Sequence, residues 1–289
     1  MLSARFLPVL CALLALTGSA QAIVIRHDTG YAGHAARESQ FPAVFWLEQR
    51  SARKICVATL IDPRWALTAA HCVEETDLQG HIESQGEYVV QIAGTLQGID
   101  HVVMHPDYHF RYDEDNSARE VDMALLRLSQ AVTLPRPVPL YRDADEQDRV
   151  ATLLGWGYFG IGTTGIQHDD GRFRMAHNIV TTAAQRLRFT FDDPRLPGSA
   201  AVALEGIPGL GDSGGPALLE TASGWQIAGV AVGEVASRAT GETSSQTPPA
   251  QGLYGAVGIY ERVSAHIGWI ESVILGTPEN PSPLSLIHI

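Results

Sequence analysis

The sequence predicts an all-β fold, a sandwich or a barrel, closed by one helix. Three observations carry that expectation. Short apolar or alternating runs recur at strand length, most of them bounded by Gly, Pro, Asp or Asn. A helical period shows instead near the far end of the chain. With 289 residues, 45% apolar and 18% charged, the chain suits one large domain or two small ones with real cores, and it is too apolar for disorder.

Taken in order, the strand-like runs are 43–47, 56–61, 88–93, 102–104, 123–128, 151–154, 187–191 and 226–232. Ser264 is placed to cap a helix over about 264–274, with Ile267, Ile270 and Ile274 on one face. No internal repeat is visible. Residues 113–120 are acidic and polar, and 237–252 are rich in Ser, Thr, Gly and Pro, so both read as surface loops. Acidic residues such as Asp113 and Asp115 would suit calcium, but solvated loop charge is the favoured reading. Prolines and charges cluster over 135–145 and mark a boundary. The organisation expected is a leader, 1–22, a first half, 23–140, a second half, 141–276, and an unstructured tail, 277–289. The last six residues match a translated sequencing-adaptor end, so they read as an artefact and His288 is no site candidate.

The leader has the parts of a secretory signal. Arg5 supplies the positive start, 6–16 is apolar but too short to span a bilayer, and Ala20-Gln21-Ala22 is a cleavage site. The mature chain would begin at Ile23. A membrane anchor is the weaker alternative. No later segment has the length or apolarity of a transmembrane helix, so a secreted or periplasmic product with no stable membrane insertion is expected.

Cleavage leaves two cysteines, Cys56 and Cys72. An even pair in an exported protein reads as one disulfide; it would close a loop of about 15 residues and contribute roughly 3 kcal/mol. His71 adjoins Cys72, but two lone thiols make a poor metal site, so neither metal nor cofactor is expected. The net charge of −12, with one lysine, Lys54, and scattered arginines, argues against nucleic-acid binding.

Gly211-Asp212-Ser213-Gly214-Gly215-Pro216 is where chemistry shows first. Glycines let the chain turn tightly and bring N–H groups close to the serine oxygen. An acyl-transfer nucleophile needs such preset donors for its oxyanion. A serine hydroxyl also needs a base, and the base needs an orienting acid. His71, in Thr68-Ala69-Ala70-His71-Cys72, is crowded by small residues and pinned by its neighbouring cysteine. Asp122 enters the apolar run Met123-Ala124-Leu125-Leu126-Arg127-Leu128, and a lone acid there is costly unless partnered. Those features make His71 and Asp122 the base and the orienter.

These residues resemble the chymotrypsin-like serine proteases. Cys56-Val57-Ala58-Thr59-Leu60-Ile61, Trp65 and Thr68 to Cys72 are similar to the family's base region, and Asp122 to Leu128 to its acid strand. Gly155-Trp156-Gly157 resembles the opening of the second half. Gly211 to Pro216 resembles the nucleophile loop, and Gly258-Ile259-Tyr260-Glu261-Arg262-Val263 with Trp269-Ile270 the final strand and closing helix. The order His, Asp, Ser is the family's. The likeness runs from 23 to about 275, nearly the whole mature chain.

The resemblance implies two six-stranded antiparallel β-barrels with the site between them. It makes His71 the general base and then acid, Asp122 its orienter and Ser213 the acylated nucleophile. The N–H groups of Gly211 and Ser213 become the oxyanion hole. Substrates would be proteins or peptides, and the enzyme a monomer. A catalytically weak binding protein on the same fold and an esterase-like hydrolase are the alternatives. Lys-poor, Arg- and Ala-rich composition is compatible with a high-GC bacterial source.

Three departures from the family matter. The pocket position six residues before Ser213, acidic in members that prefer Lys or Arg, is Ile207. With Pro208, Leu210, Gly233 and Gly258 it implies an open, apolar, non-tryptic pocket, unless Glu205 or Glu234 swings in. A cysteine usual before the nucleophile is replaced by Gly209, so the pocket rim is less tethered. The family's activated terminus, an Ile or Val whose ammonium meets the acid before the nucleophile, would be Ile23 with Asp212. Signal cleavage would expose it directly, although Ile25-Arg26 stands where two glycines are usual; a plain leading strand is the alternative. Arg37-Glu38 is a poor activation site.

Overall fold

The first sheet alternates buried and exposed side chains at its edge strand Tyr88–Ile92 and is buried almost continuously in its central strands, such as Trp65–Thr68 and Ala124–Leu128. The computed structural model describes residues 23–109, 120–236 and 251–276. The leader, the tail and nearly all of the two loops read at 113–120 and 237–252 lie outside the described residues.

Six strands form this sheet in the order Val44–Arg50, Arg53–Asp62, Trp65–Thr68, Ala124–Leu128, Thr95–Met104 and Tyr88–Ile92. All neighbours are antiparallel. The two ends of the sheet meet, where the Tyr88 hydroxyl donates to the Leu47 carbonyl at 3.1 Å, so the barrel is nearly closed. Phe45, Leu60, Leu67 and Leu126 fill it.

A second sheet forms a half-barrel. Its order is Arg174–Ile179, Val150–Gly155, Pro216–Thr221, Gly224–Val235, Val257–Arg262, Arg186–Thr190 and the two-residue strand Thr182–Ala183. Leu153, Leu187, Phe189, Leu219 and Tyr260 make its core. The expected all-β architecture is therefore present. The second sheet has its six longer strands plus a short hairpin return, with Thr182 opposite Arg188.

Both ends of the described residues cross over. Ile23–Ile25 sits in a small sheet, parallel to Phe159–Ile161 and antiparallel to Gly206–Ile207. That ties the leading segment to the second half. The helix Ile267–Gly276 packs back on the first core through buried Ile270 and half-buried Ile267 and Ile274. Ser264 does not cap this helix. It lies in the short turn Val263–Ala265, and its hydroxyl donates to Glu146. Glu146 is fully buried, also takes Arg262, and claims the hydroxyl because a buried carboxylate must be paired.

Candidate active site

His71 lies on Ala70–Glu75, a helix too short to show a sequence period. It begins two residues after the strand Trp65–Thr68, and Ala69 and Ala70 are small enough to be fully buried beneath it. Two tethers fix its start. Thr68 Oγ1 donates to the Val57 carbonyl at 2.7 Å, and Cys72 is disulfide-bonded to Cys56 in the strand Arg53–Asp62. The pairing read from the cysteine count is thus present. It also takes both sulfurs from the Cys56, His71, Cys72 cluster, leaving no thiolate for a metal.

Asp122 stands two residues before the strand Ala124–Leu128 and is 6% exposed. Its Oδ1 accepts the His71 backbone N–H at 2.9 Å and its Oδ2 lies 2.5 Å from His71 Nδ1. A carboxylate accepts only, so Nδ1 carries the proton and Nε2 is left free to accept one. Burial opposes charging of the ring. The hydrogen bond and charge of Asp122, with Glu75 and Glu74, outweigh it and hold the imidazole above its usual 6.5.

Ser213 is pinned by its backbone. Its carbonyl accepts from Val57 N at 2.7 Å, and the next N–H, of Gly214, donates to the Ala231 carbonyl at 2.7 Å. Gly214 has φ +77°, and a Cβ there would lie 2.1 Å from the Val57 carbonyl oxygen, so only glycine fits. Gly211 has φ +93°. The preceding carbonyl, of Leu210, accepts from Tyr158 N at 2.6 Å. Because a trans peptide points its C=O and N–H in opposite directions, this bond turns the Gly211 N–H away from Tyr158. Among the described residues, the N–H groups of Gly211 and Ser213 donate to no other group. Ser213 and His71 line the same cavity, of about 300 Å³. No hydrogen bond joins them.

Asp212 is 1% exposed. Its carboxyl accepts N–H bonds from Gly157 at 2.6 Å and Gly209 at 2.8 Å, and burial pushes its pKa up to about 7. Ile23 is not its partner in the uncleaved chain. Ile23 opens the strand Ile23–Ile25, and its nitrogen becomes an ammonium only when the bond to Ala22 is cut.

Pro208, Leu210 and Gly233 line the cavity as expected, joined by Ala231, Val232 and Ile259. Ile207 and Gly258 are not among the lining residues. Ile207 is fully buried with Val24, Phe191 and Ala256, because its strand is covered by Ile23–Ile25. Gly258 lies behind Pro208, whose Cδ would be 3.1 Å from a Cβ there. Glu205 is turned away, bonded to Asp192 N and Val202 N. Glu234 does line the cavity. Its carboxylate accepts the Gly252 N–H at 2.8 Å, and burial pushes its pKa up to about 7.

Sequence reasoning missed Arg186 and Glu261, a buried pair whose Glu261 carboxylate accepts the Asp122 N–H at 2.9 Å. The signal was present: Glu261 is a lone acid in an apolar strand, as Asp122 is at the mouth of one.

A sequence profile described as Trypsin matches residues 31–270. This chain belongs to the trypsin family. Family membership makes it a hydrolase of the serine endopeptidase kind. Serine protease 28 of Mus musculus is 26% identical over 76% of this chain and 78% of its own length. CLIP domain-containing serine protease B15 of Anopheles gambiae is 28% identical over 76% of this chain, which spans 61% of it. Vitamin K-dependent protein C of Oryctolagus cuniculus is 27% identical over 87% of this chain, which spans 54% of it. These relatives are animal proteins, so the bacterial source read from composition finds no support in them. Among the described residues no helix is long and apolar enough to cross a membrane.

Proposed function

We propose that this chain is a secreted serine endopeptidase that uses Ser213, His71 and Asp122 and prefers an apolar residue before the scissile bond. The observation that carries the catalytic part is the two-point grip of Asp122 on His71, in one cavity with Ser213. Ser213 Oγ attacks the substrate carbonyl while Nε2 takes its proton. The N–H groups of Gly211 and Ser213 meet the oxyanion, each donor worth roughly 3–4 kcal/mol of barrier. His71 then protonates the leaving amine, and water releases the acyl group by the same route in reverse. Proteins and peptides are the substrates, and the working form is a monomer.

The apolar preference is supported by the walls: Pro208, Leu210, Ala231 and Val232 carry no charge. Glu75, Glu120 and Asp122 also line the cavity; the acid that adjoins these walls in the chain, beside Gly233, is Glu234. With its carboxyl near 7 it is neutral over much of the acidic range, and when charged it is already engaged by Gly252. A panel of chromogenic peptides varied before the scissile bond tests this. Fastest cleavage is expected after apolar residues, with arginine gaining only as pH rises past about 7. Fastest cleavage after arginine at every pH overturns the pocket assignment.

Activation is part of the same proposal. Ile23–Ile25 lies between Phe159–Ile161 and Gly206–Ile207. Two residues before Phe159 is Gly157, and two beyond Ile207 is Gly209, the two N–H donors to Asp212. Both registers run off the N-terminal end of Ile23. A new ammonium at Ile23 would therefore arise beside a buried carboxyl that has only neutral donors, and signal cleavage supplies it without a separate zymogen step.

A further inference from the structure

Beside the Asp122–His71 pair, with Arg186 also at the cavity wall, lies an ion pair that the triad chemistry does not use. Arg186 and Glu261 are 9% and 1% exposed. They stand opposite each other in the antiparallel pairing of Arg186–Thr190 with Val257–Arg262. Glu261 Oε1 accepts from Arg186 Nε at 2.8 Å and lies 2.6 Å from its Nη2. The same Oε1 accepts the Asp122 backbone N–H at 2.9 Å. Arg186 Nη2 also donates to the Glu120 carbonyl at 2.9 Å. One cross-strand pair of the second sheet thus holds the catalytic acid's segment at two points, the carbonyl of residue 120 and the N–H of residue 122.

That arrangement is expensive if its only role is stability. Replacing a buried ion pair by apolar residues of similar volume is often neutral or stabilising. The Asp122 N–H needs an acceptor, but a neutral carbonyl would satisfy it. A carboxylate backed by a guanidinium gives shorter, stronger and more directional bonds. The pair also belongs to the sheet whose strand Pro216–Thr221 follows Ser213. It therefore references the acid, on the first sheet, to the nucleophile, on the second.

We infer that Arg186 and Glu261 are positioning residues: together they fix Asp122, and through it His71, in register with Ser213. This rests on the endopeptidase reading above. The charges involved are few. Glu261 is faced by Arg186 and Asp122, and Arg186 by Glu261 and, further off, His266. His71 is faced by Asp122 and by Glu74 and Glu75 of its own helix.

The test compares Glu261→Ala, Glu261→Gln and Arg186→Met in the mature chain. kcat and KM are measured per titrated active site, below each variant's Tm, and the His71 Nδ1–H resonance is followed against pH by NMR. Glu261→Ala and Arg186→Met are expected to lower kcat by about 10- to 100-fold, as a misplacement near 1 Å does, with KM within about twofold. Glu261→Gln keeps an acceptor for the Asp122 N–H and should restore most of kcat. The two charge changes should move the His71 midpoint oppositely: down in Glu261→Gln, which removes a negative charge, and up in Arg186→Met, which removes a positive one. If Glu261→Ala does not fold, the other two variants decide. Lower Tm with wild-type kcat per site and an unmoved His71 titration would overturn the inference. A wild-type chain that hydrolyses no peptide would instead sink the endopeptidase reading, and the opposed NMR shifts would still test the positioning.

Discussion

Asp122 and Asp212 are both buried, at 6% and 1% exposure, and are satisfied in opposite ways. Asp122 has its partners built in: the His71 ring and N–H on one side, Glu261 and Arg186 behind its backbone. Asp212 has two neutral backbone donors, and burial leaves its carboxyl near 7. Stable burial of a carboxylate needs a cation or several donors. One carboxyl is therefore met by its ring partner when the chain folds; the other stays raised even with the charge of Arg174 acting on it, and the proposed Ile23 ammonium would be its hydrogen-bonding cation. On the proposed reading, the difference separates catalysis, carried by Asp122, from activation, carried by Asp212.

The largest effect should come from Asp122. Asp122→Asn offers His71 the wrong partner and favours the wrong tautomer, and kcat should fall by about 10⁴-fold. Cleavage at Ile23 should leave that deficit unchanged. Peptide hydrolysis by the extended and the mature forms checks both points, and a deficit that depends on the terminus would merge the two roles.

Asp212→Asn should cost less and act differently. Losing a buried pair worth roughly 3–5 kcal/mol amounts to about a 10²-fold to several-thousand-fold loss of activity in the mature chain. A chain extended by a few residues before Ile23 should already be that weak, and the substitution should change it little. N-terminal sequencing of secreted, active protein belongs to the same test. A start other than Ile23 removes the proposed pair.

The smallest effect is on stability. In the uncleaved chain the Asp212 carboxyl is raised from 3.8 to about 7. Between those values the folded chain binds more protons than the unfolded one, so its stability falls as pH rises through that window. Pairing with an ammonium pulls the carboxyl down and removes the loss. Glu205 and Glu234, also near 7, contribute the same sign in both forms and cancel in the difference. The Tm gap between mature and extended Ser213→Ala chains should therefore widen from about pH 4 to about pH 7. A constant gap would mean that Asp212 gains no partner.

What was legible in the sequence follows the same division. The apolar runs placed strands in both sheets, by alternating burial as in Tyr88–Ile92 or by continuous burial as in Ala124–Leu128, but gave no run for Trp65–Thr68, Arg174–Ile179 or Pro216–Thr221. His71, Asp122 and Ser213 were legible because each sits in a local setting that makes sense only with a partner. Ser264 was misread because the buried need of Glu146, far away in sequence, outweighs a local cap. Glu261 carried a signal, as a lone acid in an apolar strand, but its partner Arg186 did not, because pairing across two strands leaves no spacing to find. Ile207 was expected at the pocket, but the partner strand that covers it comes from the other end of the chain.

Fluorophosphonate labelling of the mature chain starting at Ile23 tests the central claim most directly. The reagent reacts only with a serine activated by a base and an oxyanion site. The account predicts rapid, stoichiometric labelling at Ser213, slowed by Asp122→Asn and abolished in a folded Ser213→Ala chain. Folded mature protein that takes no label, or takes it elsewhere, would contradict it.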